Sequence, residues 1–131
     1  MAIEISNPAG LHDPTGFGYS HVATARGELV FIAGQYDSDA EGHTTSTDFA
    51  AQVDNAFANL GIALRSVGLD FTDVAQLRTH IVEHDLEKLA VLGKKIAAIW
   101  GDKPPAQTLT GVAALALPGM LFEVDAVAVR G

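Results

Sequence analysis

The stretch from Pro104 to Val129, PPAQTLTGVAALALPGMLFEVDAVAV, decides the reading of this chain. Its Leu117-Pro118-Gly119 segment is turn chemistry joining two runs of strand-like composition. In the second run, alternation puts Met120, Phe122, Val124, Ala126 and Ala128 on one face. Leu121, Glu123, Asp125, Val127 and Val129 fall on the other. The first face is wholly apolar and must be buried. The second sets two carboxylates beside valines, and burying an ionised group without a partner costs several kcal/mol. That face therefore meets water at a cleft or meets a second subunit, and function is to be sought there.

Working outward from this stretch, Asp85 caps a helix with Leu86, Leu89, Leu92, Ile96, Ile99 and Trp100 on one side. Gly101 and Pro104-Pro105 close it. Val74 to Glu83 reads as a strand. A longer helix starts behind Thr47 or Asp48, repeats Phe49, Val53, Phe57, Leu60 and Leu64 at helical spacing, and ends at Gly68. Ala2 to Asn7 is a short alternating strand. Tyr19 to Ala25 and Leu29 to Ala33 read as the arms of a hairpin around Arg26-Gly27-Glu28, ended by Gly34-Gln35 and followed by a polar loop from Asp37 to Thr45. The order β-ββ-α-β-α-ββ, without repeats or linkers, predicts one α+β domain over residues 1–131. Its expected form is one mixed sheet with both helices on one face.

Composition narrows the function classes. Acidic residues outnumber basic ones 16 to 8, for a net charge of -8, and the cations are scattered, so nucleic acid is not an expected partner. There is no cysteine, which removes disulfides, thiol nucleophiles and thiolate metal sites. No leader pattern and no apolar run approaching the roughly 18 residues of a membrane span is present, so a cytoplasmic protein without membrane contact is expected. Hydrophobic residues make up 48% of the chain, a surplus that suggests a subunit interface.

His80-Ile81-Val82-Glu83-His84 matches the H-x-x-E-H pattern of inverted zinc proteases. That chemistry needs a helix, and the Ala75, Leu77, Thr79, Ile81 alternation predicts a strand. Four residues along a strand span about 13 Å, too far for one metal ion. No metal site is expected.

Several pieces together resemble the Rid family (reactive intermediate deaminases, also called YjgF or L-PSP). They are Gly18-Tyr19-Ser20, Val30-Phe31-Ile32-Ala33-Gly34-Gln35, Gln52-Val53-Asp54-Asn55-Ala56, Pro105-Ala106-Gln107-Thr108, and Leu117 to Val129. They occur in family order and cover the chain from about Gly16 onward. The resemblance implies a chorismate-mutase-like α+β fold and a homotrimer whose sheets form a central barrel, with ligand clefts between subunits. Active members hydrolyse reactive enamines and imines to 2-keto acids and ammonia, with neither metal nor organic cofactor.

By the same resemblance Glu123 is the catalytic acid, and Tyr19, Ala33, Gly34, Gly93, Gln107 and Leu109 are the substrate-binding positions. Four of these depart from the family pattern. Gln107 stands where active members have an arginine gripping the substrate carboxylate, Ala33 replaces a small hydroxyl residue, Leu109 a frequent cysteine and Gly93 an asparagine. An amide supplies neither the fixed charge nor the fork of a guanidinium. The expected ligand is therefore a neutral or cationic small molecule, with activity on 2-imino acids altered or lost.

The alternative is a non-catalytic trimer that binds a metabolite or a partner protein. Endoribonuclease activity, attached to the family by name, is disfavoured by the acidic surface. Asp125 is read as an interface or structural group paired with Arg78, and Gln107 either bonds a ligand or fills the arginine's space. Tyr19 is either a core aromatic or a cleft wall. The remaining histidines, His12, His21 and His43, are read as surface residues.

Overall fold

The computed structural model describes residues 2–131. Six strands, β1 (Ile3–Ser6), β2 (Val22–Ala25), β3 (Glu28–Gln35), β4 (Val74–Val82), β5 (Ala106–Val112) and β6 (Phe122–Arg130), accompany two helices, α1 (Phe49–Ser66) and α2 (Leu86–Trp100). Single 3-10 turns lie at Thr15–Phe17 and Phe71–Asp73. The class is α+β, with a mixed sheet covered by two helices.

The helix ends follow from local chemistry. Asp48 accepts from the Ala51 N–H at the start of α1, and Asp85 from the Lys88 N–H at the start of α2. Past α1, Gly68 takes a φ of +78°, which lets its N–H reach the Arg65 carbonyl and the Leu69 N–H reach that of Leu64.

Strand pairing corrects the expectation of one sheet in two places. First, β2 pairs antiparallel with β1, from Ile3 opposite Ala25 to Ser6 opposite Val22, and not with β3. The main sheet has the order β3-β6-β4-β5. Between β2 and β3, Gly27 has a φ of +136° and lies so near the Arg130 carbonyl that a Cβ would sit 2.1 Å from its oxygen. The chain passes this point and enters the sheet beside β6, so no hairpin forms. Second, β5 and β6 are not neighbours. β4 lies between them, antiparallel to β6 and parallel to β5. A parallel pair needs a crossover, and α2 supplies it.

One face of β6 carries the core. Phe122, Val124, Ala126 and Ala128 are buried together with Leu77 and Ile81 of β4, Val53, Phe57, Leu60 and Leu64 of α1, and Leu92 and Ile96 of α2. Phe57 stacks on Phe122 at 5.9 Å, and Phe49 meets Phe122 edge-on at 6.0 Å. Gln52 is fully buried in α1. Its amide donates to the Ser46 and Gly119 carbonyls and accepts from the Leu121 N–H, tying the helix to the entry of β6. No helix among the described residues is long and apolar enough to cross a membrane.

Asp37, 1% exposed, holds the polar loop. It accepts from the Thr45 N–H and hydroxyl, the Ser46 N–H and the Asn55 amide. Burial alone would raise its pKa, but these donors outweigh that and leave it below the ordinary value. A carboxyl with a depressed folded pKa adds stability above its unfolded value of about 3.9, and that stability disappears as pH falls through the folded value. We expect Asp37→Asn to lose about 2 kcal/mol near neutrality. The gap from wild type should narrow on acidification, as followed by urea unfolding with far-UV circular dichroism.

Candidate functional site

Beyond its bridge to Ser20 at Ala106, the outer edge of β5 has no strand beside it among the described residues. A cavity of about 450 Å³ opens there between β5, α2 and the loop before β2. Phe17, Leu89, Leu92 and Leu109 make its apolar walls, and His12, Tyr19, Gln107 and Thr108 its polar ones. Gln107 is held at both ends: its oxygen accepts from the fully buried Thr79 hydroxyl at 3.0 Å, and its nitrogen donates to the Gly18 carbonyl at 2.9 Å. The Gln107 side chain thus ties β5 to the loop that carries Tyr19.

His12 Nε2 lies 2.8 Å from the Tyr19 hydroxyl, and His21 Nε2 donates to the His12 carbonyl, also at 2.8 Å. The rings pack edge to face, with His12 against Phe17, Tyr19 and His21. Asp13 beside them is kept ionised to lower pH than usual, first by the Thr15 hydroxyl and then by the Thr15 N–H.

Of the other predicted residues, Ala33, Gly34 and Glu123 belong to the opposite, uncovered face of the sheet. Register places Arg78 across from Asp125, and His80 across from Glu123. Arg78 Nε donates to Asp125 at 2.8 Å, His80 Nε2 approaches the same carboxylate at 3.2 Å, and His80 Nδ1 lies 2.8 Å from the Thr110 hydroxyl. The Asp125 hydrogen bond, and then its charge, raises the pKa of Arg78. His80 thus lies within β4, as the sequence predicts, with His84 beyond the strand's end. Glu123 packs over Gly34, where a Cβ would come within 2.5 Å of its carboxyl carbon. Glycine there makes room for the acid. No side-chain hydrogen bond or ion pair engages Glu123 among the described residues.

The chain therefore groups the predicted positions in two sets. Tyr19, Gln107 and Leu109 line the cavity. Glu123 lies across the sheet, about two strand spacings or 9–10 Å from β5, and Gly34 and the exposed Ala33 lie one strand further. Gly93 lines a smaller groove adjoining the cavity, with Phe17, Leu89 and Lys94, and its Cα lies 3.2 Å from where a Cβ on Gly18 would be. His12, Phe17, Leu89, Leu92 and Thr108 also line the cavity and are not among the residues the sequence singles out for the site. The helical spacing of the two α2 leucines marks them as core, and a lone histidine in a loop carries no periodic signal.

An endoribonuclease L-PSP family model matches residues 12–130. The RutC family protein YjgH of Escherichia coli K12 is 30% identical over 123 residues, 92% of this chain and 90% of its own. The human 2-iminobutanoate/2-iminopropanoate deaminase is 28% identical over 119 residues, 90% of this chain and 85% of its own. Among solved structures, the Rid-family protein YyfB of Yersinia pestis superposes with a TM-score of 0.93 at 36% identity, covering 99% of this chain and 100% of that one.

If Gln107 acts as the tie just described, Gln107→Leu strands the Thr79 hydroxyl and the Gly18 carbonyl. Thermal and urea unfolding should then show a loss of about 1–3 kcal/mol, where an inert filler would give almost none.

Proposed function

This chain belongs to the endoribonuclease L-PSP family, the Rid or YjgF proteins, and on that premise we propose that it is a homotrimer hydrolysing small enamines or imines that lack a carboxylate. The observation that carries the reading is the division of the site. Glu123 lies on one sheet face and the Tyr19–Gln107–Leu109 cavity at the edge of the other. A second copy docked on the uncovered face brings one chain's acid to its neighbour's cavity. Exposed Leu29 and Phe31, the latter 73% exposed and paired with Val127, supply apolar surface for that contact.

In this arrangement Glu123 takes a proton from water as the oxygen attacks the imine carbon and hands it to the nitrogen, giving a carbinolamine; it then takes the hydroxyl proton and delivers it to that amine as the C–N bond breaks. Water and imine become a carbonyl compound and ammonia, with the proton count closed. Backbone groups at the open edge of β5 near Leu109 and the Tyr19 hydroxyl orient the substrate. Gln107 places no fixed positive charge in the cavity, so a neutral or cationic guest is favoured over a 2-imino acid. A carboxylate lacking a charged partner forfeits on the order of 2–5 kcal/mol of binding. A second reading, a trimer that binds a metabolite or partner without turnover, draws on the internal bonds that occupy Gln107.

Ammonia release from imines generated in situ separates these readings. We expect turnover on a neutral imine, little on 2-iminobutanoate, and a loss of about 100-fold or more in Glu123→Gln. Family-level turnover on 2-iminobutanoate contradicts the specificity, and absence of ammonia with retained binding supports the second reading. Sedimentation equilibrium should give three chains, and Phe31→Asp should shift the population toward monomer.

A further inference from the structure

The cavity's recognition chemistry resides in a pair of side chains. We propose that His12 and Tyr19 form a switchable hydrogen-bonding handle that selects a small uncharged guest with an apolar body and one acceptor atom, such as a ketone or imine. This deepens the functional reading above by narrowing its neutral or cationic ligand to a neutral one.

Apolar walls from Phe17, Leu89, Leu92 and Leu109 suit a hydrocarbon body. Among the polar lining residues, Gln107 is held by Thr79 and Gly18. The Tyr19 hydroxyl and the His12 ring are joined at 2.8 Å, and the His12 carbonyl is fixed by His21. A neutral imidazole has one N–H, so the pair has two arrangements. With the proton on Nδ1, the Tyr19 O–H donates to Nε2 and leaves the cavity no donor, only the acceptor lone pair of the phenol oxygen. With the proton on Nε2, the imidazole donates to the Tyr19 oxygen and releases the phenol O–H toward a guest. An acceptor entering the cavity therefore pulls the pair into the second arrangement.

Charged guests fit this handle poorly. Lys94 belongs to the adjoining groove, and no Lys or Arg lines the cavity itself. Asp13, next to His12 in the chain, and the net charge of -8 disfavour anions further. An ammonium ion has donors but no acceptor, so it cannot use the released O–H.

The test titrates histidine-15N-labelled full-length protein at about pH 8, where an imidazole is ordinarily neutral. The probes are cyclohexanone, cyclohexanecarboxylate and cyclohexylammonium. Cyclohexanone is expected to bind tightest and to move the His12 ring signals to the Nε2–H tautomer. Tyr19→Phe and His12→Phe should each weaken it about two- to tenfold, the size of one hydrogen bond. His12→Gln, whose amide can donate to the Tyr19 oxygen, should restore most of the binding, with unchanged circular dichroism certifying each fold. The proposal is overturned if either ion binds as tightly as the ketone, if no ketone binding is seen, if bound ketone leaves the His12 tautomer unmoved, or if Tyr19→Phe binds undiminished. All the cavity groups come from one chain, so the result stands apart from whether Glu123 hydrolyses anything.

Discussion

The architecture depends on one constraint: β6 must bury one face and keep the other out of the core. Phe122, Val124, Ala126 and Ala128 are under 4% exposed beneath the helices. A slip of one residue would drive Glu123 and Asp125 into that apolar layer and lift Phe122 out of it. The cost of burying two carboxylates makes the register unique. Once β6 is fixed, β4 follows, and Arg78 and His80 arrive opposite the two acids.

The two acids then diverge. Asp125 is enclosed by Arg78, His80 and the surrounding sheet, with only 16% of its side chain exposed. Arg78 itself is 64% exposed, so the pair adds little to stability as a surface ion pair. Its effect is local, neutralising one carboxylate while Glu123, two residues away, stays unengaged over Gly34. Sequence identity alone does not separate these acids; their cross-strand neighbours do.

Much of this was legible in the sequence because it is periodic or local. The two helices announce themselves by apolar spacing and by Asp48 and Asp85, and the β6 alternation sorts core from open face between Phe122 and Ala128, although Val129, placed on the open face, is fully buried. The strand neighbours were not legible. Whether β2 pairs with β1 or β3 turns on Gly27 meeting the Arg130 carbonyl, a contact across nearly the whole chain. Likewise β5 joins β4 through the α2 crossover, although the Leu117-Pro118-Gly119 signal suggested a simple return. Part of the site was missed for the same reason. Gln107 finds its partners on Thr79 and Gly18, and His12 gains significance only where the fold sets Tyr19 against it.

The chain's single tryptophan closes the far end of α2. Trp100 donates its indole N–H to the Phe71 carbonyl and meets Phe57 and Phe71 edge-on. It lies eight residues beyond Leu92, about 12 Å along the helix from the nearest α2 wall of the cavity. Its emission is thus a native gauge of how firmly α2 sits on its neighbours. A guest against Leu92 would sit about two helical turns from that chromophore, so its emission follows the scaffold and meets the guest only through α2.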